Sequence, residues 1–397
     1  MSASPTPLDA LRAFVRPPQA PRARLTAKRL ANLYLARLEH ARGAIHLRSL
    51  PTKLTIEPVN VCNLRCPACF TGIGAVGRPR SLMSLDLYRQ LLRELGDTLF
   101  ELELCNWGEP LLHDELPVMI EEATARGIST LISTNLSVPF DAARAEALVR
   151  AGLTVMGVSL DGTTQESYAA YRVRGQLDRV LANCRLMQEA KRRLGSPFPT
   201  IYWSFHVFPH NTEDVARAGE LARELDMELV VEKGWVVGEE WGQDSPYQYF
   251  KNPAPGRCDF LWTRAVVNND GGVAPCCGSF YDGDDMGRFD VAAQGDRAFR
   301  AVWNGPRFQT ARRFYTHRPE ADAASAEQRA HICYDCPATV MWSRWQGHVA
   351  VGGTEATFEP GFRTNDGFNY FWNRRPTRAG GAADAAARPA RGPHLGV

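Results

Sequence analysis

Three cysteines in one short loop are the residues of this chain with the clearest chemistry. Cys62, Cys66 and Cys69 are separated by three and then by two residues. Thiolates are the usual ligands of iron–sulfur clusters. A cubane cluster has four irons, so three cysteines leave one iron that can bind a substrate or a cofactor. The alternative is a structural zinc site that takes its fourth ligand from elsewhere in the chain.

The spacing of this loop, directly after a strand-like segment at residues 54–58, resembles the radical S-adenosylmethionine (radical SAM) enzymes. The resemblance implies that the open iron chelates the amino and carboxylate groups of S-adenosylmethionine (SAM). One electron from the cluster would then cleave SAM to a 5′-deoxyadenosyl radical, which abstracts a substrate hydrogen. The family often has an aromatic residue just before the third cysteine. Here that position is Ala68, and the aromatic Phe70 follows the motif.

The elements that must position this loop are visible in an alternating pattern between about residues 53 and 233. Strands are predicted at 53–58, 100–105, 128–133, 154–160, 200–208 and 227–232, and helices at 84–95, 114–126, 141–151, 175–194 and 212–226. This alternation predicts an α/β fold with a parallel sheet and right-handed crossovers. Six units are too few for a closed eightfold barrel. We therefore expect a partial (β/α)6 barrel with its chemistry at the C-terminal ends of the strands.

Residues at three of these strand ends are candidates for binding the cofactor. The turn after the second strand resembles the Gly-Glu-Pro motif of the family, which holds the amino group of SAM; an ordinary strand-to-helix turn is the alternative. Small polar side chains follow the third strand, and in similar enzymes the serine and aspartate after the fourth strand lie near the ribose. An arginine that pairs with the cofactor carboxylate is expected to be Arg172 rather than Arg174. The expected set is Gly108, Glu109, Pro110, Ser133, Thr134, Asn135, Ser159, Asp161 and Arg172.

Two further residues could act on the substrate. Cys105 lies at a strand end near the expected cofactor and could donate a hydrogen atom to a substrate radical; the alternative is packing, since free cysteine behaves as a small hydrophobe. Alternation along strand 200–208 could place Tyr202, Ser204, His206 and Phe208 on one face. If that face is the barrel interior, His206 lies in the substrate pocket. The alternative is a histidine satisfied within the core.

A second cysteine set follows the barrel. Cys258 precedes a strand-like segment and an Asn-Asp-Gly-Gly turn at 269–272, which predicts a hairpin that folds Cys276 back towards Cys258. A CxxC pair comes later, at Cys333 and Cys336. Four thiolates at these positions could hold an iron–sulfur cluster or a structural zinc ion.

The spacing of this second set resembles the start of the SPASM extension and its shorter relative, the twitch subdomain. Both carry auxiliary 4Fe–4S clusters C-terminal to a radical SAM barrel. A full SPASM region has further cysteines after the CxxC, and this chain has none beyond Cys336. The resemblance therefore implies one auxiliary cluster of the twitch kind, which would transfer electrons because it has no open iron. Its expected ligands are Cys258, Cys276, Cys333 and Cys336, with Cys277 as the alternative to Cys276.

The composition is that of an ordinary globular protein and makes no overall case for nucleic acid. The 397 residues carry a formal net charge of +2. No apolar run is long enough to span a membrane, and the first residues lack the apolar core of a signal peptide. Cysteines grouped as ligands are typical of a reducing compartment, so we expect a cytoplasmic enzyme.

The expected organisation has six parts. A basic N-terminal extension contains a helical pattern at 25–41, which either packs on the main domain or provides a basic contact for an anionic substrate or a membrane surface. In chain order, the parts are the extension at 1–50, the barrel at 51–233, a linker at 234–257, the auxiliary-cluster subdomain at 258–345, a docking tail at 346–376 and a disordered tail at 377–397.

The expected activity is abstraction of a hydrogen from a small sugar- or cyclitol-like metabolite, giving oxidation or epimerisation. A reductase, flavodoxin or ferredoxin would supply electrons. Maturation of a ribosomally made peptide is the alternative; peptide-modifying relatives often carry a leader-recognition domain, and residues 1–50 are too short and too helical for one. The alternative of another class is a non-catalytic zinc-binding scaffold.

Overall fold

The structure is a computed structural model that describes residues 20–67, 69–233, 258–317, 319–334 and 336. Its strands are β1 Lys53–Ile56, β2 Glu101–Leu104, β3 Ser129–Thr134, β4 Val155–Ser159, β5 Thr200–Val207, β6 Glu228–Lys233, β7 Arg264–Val267, β8 Gly272–Ala274 and β9 Gly287–Arg288. Its helices are α1 Ala27–Arg42, α2 Leu85–Leu95, α3 Leu116–Ala125, α4 Ala142–Ala151, α5 Gln165–Tyr171, α6 Leu177–Arg193, α7 Asp214–Glu224, α8 Phe260–Thr263, α9 Val291–Gln294, α10 Ala298–Trp303, α11 Pro306–Arg313 and α12 Ala326–Ala330.

The first six strands form the predicted partial barrel. They lie in chain order, and each pairs in parallel with the next. On β5, the buried Trp203 and Phe205 alternate with the half-buried Ser204 and His206. The buried face packs on the helices, so the other face lines the concave interior, which we call the lumen. The predicted α/β fold with a partial barrel is confirmed.

Some of the helices begin or end at capping residues that the sequence provides. Ser84 accepts a hydrogen bond from the backbone N–H of Leu87 at the start of α2, and Gly152, with φ of 87°, ends α4 in the left-handed conformation. Along α2 the buried residues Tyr88, Leu91 and Leu95 follow helical spacing and face the sheet. Helix α5 was not predicted, because its seven residues are too few to show a helical period.

The strands after the barrel extend the same sheet. Strand β7 pairs in parallel with β1, and β8 then pairs antiparallel with β7. Gly271 provides the turn between them at a φ of 89°, which a side chain rarely adopts. The hairpin predicted from the Asn-Asp-Gly-Gly turn is thus confirmed. Its attachment beside β1 was not expected, and it brings the auxiliary region against the first strand of the barrel.

Helix α1 packs on the barrel through a buried arginine. The guanidinium of Arg29 donates hydrogen bonds to the carbonyl oxygens of Gly96, Arg126 and Gly127 at 3.0, 2.9 and 2.6 Å. These carbonyls lie just past the C-terminal ends of α2 and α3, where helix carbonyls lack intrahelical partners. A basic contact surface on this helix stays a prediction.

Several sequence expectations lie outside the described residues. They are the start of the N-terminal extension, the linker at 234–257, the docking tail at 346–376 and the disordered tail at 377–397. In the part of the chain that the structure describes, no helix has the length and apolarity needed to cross a membrane. The cytoplasmic location stays a prediction.

Candidate functional site

The CxxxCxxC loop leaves the C-terminal end of β1 and gathers its three cysteines in one apolar pocket. Cys66 is buried in a small cluster with Leu64, and Cys62 and Cys69 pack against the same cluster. Tyr171, at the end of α5, and Phe208, after β5, complete it. Two backbone hydrogen bonds hold the loop in place. The N–H of Arg65 donates to the carbonyl oxygen of Val173, and the N–H of Glu109 donates to that of Val61.

The chemistry of this pocket fits an iron–sulfur cluster. Burial raises the pKa of Cys62 to about 12 and of Cys66 to about 11, so cationic irons are needed to hold the thiolates. Donors are already aimed at the sulfurs. The backbone N–H of Leu64 and Nδ2 of Asn135 lie 3.4 and 3.6 Å from the Sγ of Cys62, and Nη1 of Arg172 lies 3.8 Å from the Sγ of Cys66. Hydrogen bonds to the sulfurs tune the potential of such clusters.

The Gly-Glu-Pro turn after β2 lies directly beside this loop. A Cβ on Gly108 would come within 1.7 Å of the carbonyl oxygen of Val59, so only glycine fits there. The buried carboxylate of Glu109 accepts hydrogen bonds from Thr134 Oγ1 at 2.6 Å and from the Asn135 N–H at 2.8 Å. Burial nonetheless raises the pKa of Glu109. The turn therefore joins the ends of β2 and β3 beneath the cysteine loop.

Asn135 links the end of β3 to the cysteine loop. Its Nδ2 donates to Asn63 Oδ1 at 3.0 Å, and its Oδ1 accepts the N–H of Ser137 at 2.8 Å. The next residue, Leu136, has a φ of 51°, in the left-handed region that favours glycine. The structure holds it there through the Thr134 hydroxyl and through Asn183, which bonds its carbonyl oxygen. The two residues thus form one tightly bonded corner.

Arg172, Asp161 and His206 form a second group beside Cys66. Arg172 Nε donates to Asp161 Oδ2 at 2.5 Å, and His206 Nδ1 lies 3.0 Å from Asp161 Oδ1. Burial opposes ionisation of Asp161, but Arg172 and His206 outweigh it and lower its pKa. His206 thus faces the lumen while its ring contacts Asp161. Of the two arginines considered for the cofactor carboxylate, Arg174 is exposed and Arg172 lies beside Cys66.

The remaining predicted residues are also at the lumen or at its rim. Ser133 and Ser159 are half-buried at the ends of β3 and β4, on the lumen side. Pro110 begins a short 3-10 helix that Glu109 caps. Burial, with a further contribution from the charge of Glu103, raises the pKa of Cys105 to about 12. The structure therefore brings the expected cofactor residues and Cys105 to one end of the barrel.

The lumen contains a charged network that was not predicted from the sequence. Lys53 Nζ lies 2.5 Å from a carboxylate oxygen of Glu101 and of Glu103, and Thr55 Oγ1 donates to Glu103 at 2.6 Å. Along β1 and β2, the polar residues of this network alternate with buried leucines and an isoleucine; they are Lys53, Thr55, Glu101 and Glu103. Charged residues on the inner face of two barrel strands were the signal that could have revealed this network.

The second cysteine set is brought together in part. Cys258, Cys276 and Cys336 lie close enough that ionisation of one raises the pKa of another, in addition to the effect of burial. Cys277 also raises the pKa of Cys276; its own side chain is exposed, and the charges that act on it are those of Glu103, Arg264 and Lys53. Cys333 is buried, and its N–H bonds His331 Nδ1 at 3.1 Å. Within the described ranges, no three His, Cys, Asp or Glu side chains are placed to hold a single metal ion.

Comparison with known families decides the assignment. The family model of the radical SAM superfamily matches residues 56–221, and that of SPASM, an iron–sulfur cluster-binding domain, matches residues 258–337. The chain is a radical SAM protein with a SPASM domain. Radical SAM domains bind SAM and a 4Fe–4S cluster, and SPASM domains bind auxiliary iron–sulfur clusters. The four residues around the cysteine loop that contact one another, Glu109, Thr134, Asn135 and Asn63, lie within the first match.

Among curated relatives, the Fe-coproporphyrin III synthase of Methanosarcina barkeri is 28% identical over 137 residues, which cover 34% of this radical SAM protein and 34% of the synthase. The chain thus matches about a third of that relative. The PqqA peptide cyclase of Xanthomonas euvesicatoria pv. vesicatoria is 26% identical over 353 residues, 78% of this chain and 87% of the cyclase. In fold, the chain resembles Streptococcus suis SuiB, with a TM-score of 0.54, 14% identity and 73% of each chain covered.

Proposed function

We propose that this radical SAM enzyme abstracts a hydrogen atom from a substrate bound in the barrel lumen. When bound, the cluster and SAM supply the 5′-deoxyadenosyl radical. The observation that carries the proposal is the convergence of Cys62, Cys66 and Cys69 with the residues expected to bind SAM. These residues come from four different strand ends, and in a parallel barrel such ends are where chemistry takes place.

Each group has a distinct task in this proposal. Cys62, Cys66 and Cys69 hold the cluster. The Glu109 carboxylate is the acceptor for the amino group of SAM in this proposal, because it lies buried in the turn beside the cysteine loop and a cation would stabilise its buried charge. Arg172 is the donor for the cofactor carboxylate, and Asp161 keeps its guanidinium oriented beside Cys66.

The second cysteine set moves electrons in this proposal. Cys258, Cys276, Cys333 and Cys336 would ligate the auxiliary cluster completely, so that no iron is open to the substrate. Cys276 is preferred to Cys277 as the ligand in this proposal, because its side chain is less exposed than that of Cys277 and the thiols of Cys258 and Cys336 both act on its pKa. Electron transfer to this cluster would turn a substrate radical into a two-electron oxidation product. Cys105 stays a candidate hydrogen donor for a reaction without net oxidation.

A peptide is the substrate class that the comparisons favour. The peptide cyclase aligns with this chain across both the barrel and the auxiliary region, whereas the porphyrin synthase aligns over 137 residues only. A sugar- or cyclitol-like metabolite stays a prediction from the sequence. Both classes could use the Lys53–Glu103 network, which offers charged partners for polar groups inside the lumen.

The substrate class can be tested by product formation. The enzyme, reconstituted without oxygen and supplied with SAM and a reductant, is incubated with peptides encoded beside its gene and, separately, with a panel of aminocyclitols and sugars. We expect 5′-deoxyadenosine to form with a peptide, together with loss of hydrogen from that peptide in its mass spectrum. Turnover of a cyclitol or sugar and of no peptide would overturn the peptide assignment. A Cys62→Ala variant is the control for background cleavage.

A further inference from the structure

Four aromatic rings join the cysteine loop to the auxiliary region. Phe70 follows Cys69 directly, and Trp107 precedes the Gly-Glu-Pro turn. Phe280 and Tyr281 lie shortly after the Cys276–Cys277 pair. We call these four residues the aromatic bridge. It connects loops that carry ligands of two different clusters.

The rings contact one another in favourable geometries. Phe70 stacks on Phe280 with centroids 4.9 Å apart and an interplanar angle of 21°. Trp107 meets Phe70 edge to face at 5.2 Å and Phe280 at 5.5 Å, and Tyr281 meets Phe70 at 5.7 Å. Stacked and edge-to-face arrangements at these separations are the preferred ones for aromatic pairs. Phe70 is 2% exposed, so its ring is buried.

Hydrogen bonds to the backbone and close packing hold the aromatic bridge in place. Trp107 Nε1 donates to the carbonyl oxygen of Ser279 at 3.0 Å, and the N–H of Asp282 bonds the carbonyl oxygen of Gly77 at 2.9 Å. A Cβ on Gly77 would come within 2.5 Å of the Phe280 ring. The segment after the cysteine loop therefore packs closely against the auxiliary region.

A buried ion cluster fastens the same two parts at a second point. Arg78 bonds Asp285 through Nη2 and Asp270 through Nη1, each at 3.0 Å, and its side chain is 3% exposed. Nearby, Asn269 Nδ2 bonds the hydroxyl of Ser81 at 2.5 Å. Residues 70–81 are therefore attached to the auxiliary region at both places, and this segment begins at the residue next to Cys69.

We propose that Phe70 and Phe280 are positioning residues that couple the two cluster sites. Phe280 holds the Phe70 ring, and Phe70 holds the adjacent Cys69 in its ligating position. Order at the auxiliary cysteines therefore strengthens cofactor binding at the CxxxCxxC loop, and the coupling is reciprocal. This inference rests on the family assignment and is independent of the proposed substrate.

The test compares Phe280→Leu with Phe289→Leu. Phe289 is a buried residue of the same region outside the bridge, so it controls for general destabilisation. Each variant is reconstituted, its iron and sulfide are measured, and SAM is titrated against the EPR signal of the reduced N-terminal cluster without any substrate. For F280L we expect an altered signal and a SAM dissociation constant about tenfold higher, equivalent to about 1.4 kcal/mol. F289L is expected to match the wild type.

Phe70→Leu and the F70L/F280L double variant approach the contact from its other side. Because both residues act through one contact, the double variant should lose no more SAM affinity than the worse single variant. Wild-type affinity and signal in F280L would overturn the proposal, as would equal losses in F280L and F289L or additive losses in the double variant. Failure to find a substrate would affect the proposed function and leave these binding results unchanged.

Discussion

Arg172 shows how much of the proposed cofactor site depends on single side chains. Its guanidinium lies between the Asp161 carboxylate and the Cys66 thiol, with the Tyr171 ring 5.1 Å from it. Asp161 is fully buried, so its charge is tolerated only because Arg172 and His206 contact it. The arginine is thereby held in one orientation before any cofactor arrives, which reduces the ordering cost of binding.

Replacing Arg172 should therefore weaken SAM binding selectively. We expect Arg172→Gln to raise the SAM dissociation constant by about tenfold to a hundredfold, since hydrogen bonds between charged groups contribute about 1.5–3 kcal/mol. The exposed neighbour Arg174 is the matched control, and R174Q should bind SAM as the wild type does. Titration of both reconstituted variants measures this difference. Equal affinity in R172Q and the wild type would remove Arg172 from the cofactor site.

Glu57, at the end of β1, predicts a pH dependence of stability. Burial raises its pKa to about 7, although the N–H of Trp107 bonds its carboxylate at 3.0 Å. Between about pH 4.5 and pH 7 the folded state therefore binds a proton that the unfolded state has lost. The stability of the fold is highest below pH 4.5 and falls as pH rises through about 7. Glu57→Gln keeps the hydrogen-bond acceptor without the charge. The apoprotein variant should be more stable than the wild type at pH 8, by up to about 3 kcal/mol, and similar at pH 4.5. Denaturant unfolding at both pH values measures this, and a variant less stable at pH 8 would contradict it.

At the scale of elements, the corner after β3 combines strain with burial. Leu136 is fully buried yet has a φ of 51°. We expect Leu136→Ala to cost about 2–5 kcal/mol through the lost side chain. Leu136→Gly should be about 1 kcal/mol more stable than L136A, because glycine adopts this conformation without a Cβ clash. In helix α2, Leu92→Gly should instead be less stable than Leu92→Ala. Denaturant unfolding measures the stability of all four variants. If the alanine variant is more stable than the glycine variant at both positions, Leu136 is not strained.

The elements were predictable where their signal is local. Period-two alternation and capping residues such as Ser84 placed the six barrel strands and their main helices within a few residues of the observed bounds. Helix α5 was not predicted, because a helix of seven residues is too short to show a helical period. The pairing of β7 with β1, the contact of His206 with Asp161 and the stacking of Phe70 on Phe280 join distant parts of the chain. Such contacts are determined by tertiary packing, which residue spacing does not reveal.

At the scale of the whole molecule, the barrel and the auxiliary region share one sheet and one buried ion cluster. Arg78→Ala would leave the carboxylates of Asp270 and Asp285 without their buried partner, so we expect a loss of about 3–5 kcal/mol of unfolding free energy. Arg80→Ala, two residues away at an exposed position, is the control and should change stability by less than about 0.5 kcal/mol. Equal unfolding midpoints for R78A and R80A would show that the ion cluster does not hold the two parts together.

Reductive cleavage of SAM tests the central claim most directly. The protein, reconstituted with iron and sulfide without oxygen, is mixed with SAM and a strong reductant, and 5′-deoxyadenosine is quantified beside a variant in which Cys62, Cys66 and Cys69 are all alanine. We predict 5′-deoxyadenosine from the wild type and none above background from the triple variant. Equal product from both proteins, or none from a wild-type protein that holds its full iron content, would contradict the account.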